Sequence, residues 1–133
     1  VEKKIVEARL KGLSIGQLSE NDLKIQVMDA LVSISIITGH GLPEEPAYAK
    51  RLITEIIVQL LEFGYSDLNI DEIILAFRLN CLCNLRFPSG SEVTPVEIFG
   101  KYISVDYITK VLSIYRTLRN ILDRQLINSA NGY

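Results

Sequence analysis

SENDLKIQVMDALVSISIITGHG, running from Ser19 to Gly41, carries the start, the period and the stop of a helix in one stretch. Ser19 precedes Glu20 and Asp22, an N-cap followed by acidic residues that favour the positive end of the helix dipole. Leu23, Val27, Ala30, Leu31, Ile34 and Ile37 then recur at three- and four-residue steps, the period of one helix face. Gly39-His40-Gly41 ends the run. Met28, Val32 and Ile36 widen the apolar face over most of the circumference, so this helix is expected to be the central, most buried one.

Similar signals stand on either side. Glu2 to about Lys11 is a short segment of mixed charge ended by Gly12. Pro46 suits the first turn of a helix, where its missing amide hydrogen costs nothing, and Tyr48, Leu52, Ile53, Ile56, Ile57, Leu60 and Leu61 form its stripe. Phe63-Gly64 closes it with the glycine expected just past a helix end. Asn69 and Glu72 form a capping box, after which Ile70, Ile73, Ile74, Phe77 and Cys81 run to about Asn84. The loop Arg86–Val93 holds Pro88-Ser89-Gly90-Ser91, and Thr94-Pro95-Val96-Glu97 opens a short helix expected to end at Gly100. Ser104 caps a long helix from about Val105 to Asn128, with Ile108, Val111, Leu112, Tyr115, Leu118, Ile121 and Leu122 on its core face.

No segment alternates in polarity as a half-buried strand does, and no repeat is present. The fold class expected is all-α: a compact bundle of four to five helices with a long C-terminal helix. Its 133 residues suit one domain, 1–133, with 1–18 and 129–133 loosely attached.

A hydrophobic content of 48% and a mean hydropathy of +0.23 exclude intrinsic disorder and leave apolar surface for a partner. The longest apolar run, Ala30 to Thr38, falls short of the roughly 20 residues of a membrane span. The chain begins at Val1 rather than Met, which is compatible with a removed leader. Cys81 and Cys83 lie two apart in a helical pattern and point to different faces, so a reduced, cytoplasmic setting is expected. The net charge is −2, unevenly spread. Residues 20–72 hold ten acidic and three basic residues, whereas 101–133 hold Lys101, Lys110, Arg116, Arg119 and Arg124 against Asp106 and Asp123.

Asp67, Asn69 and Asp71 match the first three ligand positions of a helical calcium loop. Glu72 stands where that loop needs glycine and Arg78 where it needs glutamate, and helix capping accounts for the residues instead. Cys81, Cys83 and His40 lack the second ligand pair that zinc requires, and buried cysteine is the plainer reading. His40 is the single histidine and sits between two glycines in a turn. With neither a nucleophile elbow nor a phosphate-binding glycine loop, no enzyme, cofactor or metal is expected.

The turn into the fourth helix carries Asp67, Asp71 and Glu72, which phosphate repels, so it makes a poor nucleic-acid reader. Lys101, Lys110, Arg116, Arg119 and Arg124 are the better candidate contacts for a partner or nucleic acid. Even so, the helical ones are spread around their helix rather than aligned in a track. Ile108, Val111, Tyr115, Leu118 and Leu122 form a partial heptad, long enough for a bundle core or a modest dimer seam.

The order of parts from Ile36 to Asn120 resembles small replication-associated or uncharacterised proteins of phages and mobile elements from gut Bacteroidetes. The resemblance rests on DEIILAF, residues 71–77, and GKYISVDYITKVLSIYRTLR, Gly100 to Arg119. It implies a helicase-loader-like adaptor that acts by binding a protein, such as a replicative helicase, in the host cytoplasm. Two alternatives stand beside it: a virion or other oligomeric component, and a nucleic-acid binder using the basic C-terminal helix.

Overall fold

The computed structural model describes residues 1–82, 84–98 and 100–130. Five α-helices lie among them: α1 (Glu2–Arg9), α2 (Glu20–Thr38), α3 (Pro46–Glu62), α4 (Ile70–Asn80) and α5 (Val105–Ala130). The described residues contain no strand, only two isolated bridges, and the fold is all-α with a long C-terminal helix.

The local signals act as expected. Ser19 Oγ accepts from the Asp22 amide at 3.2 Å, and Ser104 Oγ accepts from the Tyr107 amide at 3.2 Å. Gly39 closes α2 in the left-handed conformation, at φ 74°, with its amide donating to the Ser35 carbonyl. Asn69 and Glu72 form the reciprocal cap of α4.

The centre of the bundle is not α2. It is α4, which packs against α1, α2 and α5 and buries Glu72, Ile73, Leu75, Ala76, Phe77 and Leu79. With 11 residues it is short enough to be enclosed. α2 buries one face (Leu23, Val27, Ala30, Leu31 and Ile34) and leaves Met28, Val32 and Ile36 in solvent. Phe77 and Tyr107 meet with ring centroids 5.6 Å apart, joining α4 to the start of α5.

Loose attachment of residues 1–18 gives way to a packed segment. Ile5, Ala8 and Ile15 are buried, and a 3₁₀ turn at Ile15–Gln17 docks on the α3–α4 turn through Ile15 N–H to Leu68 O and Gly16 N–H to Ser66 O. Of 129–133, Ser129 and Ala130 form the exposed end of α5, and 131–133 lie outside the described residues.

The short helix expected from Thr94 does not form between Thr94 and Ile98; Phe99 lies outside the described residues. The Asn80 side chain accepts from Val96 N–H at 2.8 Å and donates to Val96 O at 3.0 Å, holding that backbone as a neighbouring strand would. Ahead of it a tight turn pairs Arg86 with Glu92. α4 ends at Asn80 rather than near Asn84, and Cys81 at its end is exposed, not buried.

Candidate functional site

The polar groups of the fold converge where α5, between Tyr115 and Asp123, meets α1 and the start of α4. At the α4 N-terminus, Glu72 Oε1 accepts from Asn69 N–H at 3.3 Å, and Asn69 Oδ1 accepts from Glu72 N–H at 2.8 Å. Asn69 Nδ2 also donates to Ala8 O at 2.8 Å, tying α1 to the same point. Tyr115 on α5 donates its hydroxyl to Glu72 Oε2 at 2.7 Å. Burial, reinforced by the facing carboxylate, raises the Tyr115 pKa well above the ordinary tyrosine range. The phenol therefore stays protonated, and donates, at neutral pH.

Arg119 lies one turn further along α5, only 8% exposed. Its Nη1 donates to Asp67 Oδ2 at 3.0 Å, and its Nε stands 3.4 Å from Glu72 Oε2, buried and without a hydrogen bond among the described residues. Arg116 grips both Asp67 oxygens, donates to Gly64 O at 2.7 Å and lies over the Tyr65 ring. The Arg116 hydrogen bonds hold the Asp67 carboxyl below its usual pKa against partial burial, and Arg119 adds to this. Arg9 pairs with Asp123, closing α1 onto α5.

Three guanidinium groups thus face three carboxylates, and the network is electrically closed. Beside it opens a cleft of about 430 Å³. Val6, Leu10 and Leu126 border it, and Asn69, Glu72 and Arg119 line its floor. Leu10 is 81% exposed, and Leu126 and Ile127 are each more than half exposed.

Of the basic residues singled out in the sequence, only Arg116 and Arg119 come together, both on Asp67. Lys110 pairs with Asp106 within its own helix at 2.9 Å, and Lys101 lies 3.7 Å from Glu44. Arg124 is exposed with no ion pair among the described residues. The partial heptad of α5 is core: Ile108, Val111, Tyr115, Leu118 and Leu122 are all buried.

Asp67 and Asn69, two of the three calcium-like positions, are engaged by Arg116 and by the cap. His40 and Cys81 line one open cleft with Glu97, and no group of three metal-ligating side chains occurs among the described residues; Cys83 lies outside them. The buried pair Glu72 and Arg119 was not legible as a pair. The signal for Arg119 is its register, four residues after Tyr115 and three before Leu122, on the core face.

No family model, no curated protein and no solved structure matches the chain.

Proposed function

We propose that this protein is a non-enzymatic adaptor that binds a segment of a partner protein across the cleft between α1 and the C-terminal half of α5. The observation that carries this reading is the pair of apolar edges, Leu10 on one side and Leu126 on the other, left in solvent beside a polar floor. Apolar side chains held by a rigid frame are what a partner segment buries, and the Arg9–Asp123 and Tyr115–Glu72 ties supply the frame. In keeping with the resemblance, the partner is a replication protein of the replicative-helicase type and the setting is the host cytoplasm.

The nucleic-acid alternative loses support from the pairing of Lys101, Lys110, Arg116 and Arg119 with carboxylates, since a phosphate has to compete with each of them. Affinity capture from the native host, with the wild type beside a Leu10→Ser/Leu126→Ser variant, tests the reading. A replicative helicase recovered by the wild type and lost with the variant supports it. Capsid or tail proteins recovered instead point to the virion alternative, and capture unaffected by the variant removes the cleft as the docking site.

A further inference from the structure

α2 has two apolar faces and the fold covers one. On the line opposite Leu23, Val27 and Ile34 stand Ile25, Met28, Val32 and Ile36, exposed by 51, 51, 53 and 78%. Their spacing of three, four and four residues keeps them in one row about 16 Å long. Scattered exposed apolar residues need no explanation, but a contiguous row of four on a helix that is apolar nearly all round does.

The charges beside the row complement a second copy of the same helix in one orientation. In heptad terms Ile25 and Val32 occupy a positions and Met28 a d position, so Asp22 and Asp29 fall on the e flank and Lys24 on the g flank. When two such helices pair antiparallel, e flank meets e flank and the aspartates oppose one another. When they pair parallel, g meets the e position five residues on, and Lys24 of each copy meets Asp29 of the other. Lys24 is 59% exposed and, among the described residues, is paired only with Glu20 of the same helix, at 3.5 Å. Asp29 is exposed and has no ion pair among the described residues.

We infer that the row on α2 is the seam of a parallel, two-fold homodimer, with Ile25, Met28 and Val32 against their counterparts and two Lys24–Asp29 pairs across the seam. The site is separate from the cleft, so a dimer presents two clefts to its partner. Four exposed side chains fall short of the ~800 Å² per partner of a standard interface, which makes the dimer weak and concentration-dependent, with a micromolar dissociation constant.

Sedimentation velocity from about 5 to about 500 µM tests the association over the range where such a constant is read. The wild type passes from monomer to dimer. Val32→Glu stays monomeric with an unchanged melting temperature. Lys24→Glu raises the dissociation constant about tenfold, and Lys24→Glu/Asp29→Lys restores it. In a Cys81→Ser/Cys83→Ser background, Ile25→Cys and Val32→Cys each form a disulfide-linked dimer on mild oxidation. A parallel seam allows both, whereas any antiparallel register allows at most one. A wild type that is monomeric throughout, a dimer indifferent to Val32→Glu, or a cross-link at only one of the two positions overturns the inference. So does a captured partner that Val32→Glu alone releases from a monomeric wild type, since the row then belongs to that partner.

Discussion

Tyr115 and Glu72, 43 residues apart and each only 1% exposed, meet in a hydrogen bond of 2.7 Å that joins α5 to the first turn of α4. Glu72 is almost fully withdrawn from solvent, so its three partners (the Tyr115 hydroxyl, the Asn69 amide and the Arg119 guanidinium) jointly replace its hydration.

Tyr115→Phe removes one of the three while keeping the ring's volume. It is expected to cost about 1–3 kcal/mol in urea unfolding, the penalty for a buried acceptor left short. The same bond has an alkaline signature. The folded pKa of Tyr115 is raised, so its contribution is complete below the unfolded value near 10 and declines as pH climbs above it. The wild type should lose stability more steeply than Tyr115→Phe above that pH, and parallel curves would show that the hydroxyl is not coupled to folding.

The arginines of α5 should differ sharply despite their common charge. Arg119→Met strips the buried Glu72 of its cation and is expected to cost about 3–5 kcal/mol. Arg116→Gln gives up a pair whose Asp67 side chain is 55% exposed, and after solvent screening it should cost about 0–1 kcal/mol. Arg124→Gln should leave the melting temperature where it is. Equal losses in all three would mean that net charge, not the individual pairings, sets their effect.

Asp67 supplies an acid-side test. Its folded pKa is lowered, so its contribution is present above the unfolded carboxylate value near 4 and is lost as pH falls below it toward the depressed folded value. Thermal unfolding of wild type and Asp67→Asn should therefore differ at neutral pH and converge in that acid window. A constant offset down to the lowest pH that permits folding would contradict the assignment.

Gly39 isolates a backbone effect. A Cβ there meets nothing within 4 Å, yet φ is 74°, so Gly39→Ala is strained without any clash. The expected loss is about 1 kcal/mol, read from the urea midpoint.

What could be read from the sequence was what local chemistry decides. Ser19, Asn69 and Ser104 cap their helices because a hydroxyl or amide oxygen reaches an amide three residues on, wherever the helix goes afterwards. The core face of α5 was legible for a similar reason, since a long helix buries whichever stripe is continuous. The centrality of α4 was not, because α2 and α4 are both apolar nearly all round and only the arrangement of α1 and α5 selects which is enclosed. Nor was the non-helical backbone at Val96, which is held by Asn80 sixteen residues earlier. The cleft was illegible too: its parts come from Leu10, Asn69, Arg119 and Leu126, which only tertiary packing brings together.

The clasp of Asn80 on Val96 and the turn from Leu85 to Val93 have a consequence for how this chain tolerates change. Arg86 holds Glu92 and the Gly90 carbonyl, and Phe87 N–H meets Ser91 O, so the turn closes on itself before the backbone reaches the clasp. Its tip, Pro88 to Ser91, is exposed. Residues inserted between Ser89 and Gly90 therefore lengthen a loop whose two ends are already pinned, and each doubling of that loop costs only about 0.6 kcal/mol. That tip is the place to graft an epitope, a fluorophore or a foreign peptide without disturbing the bundle, and the place where natural length variation would accumulate first.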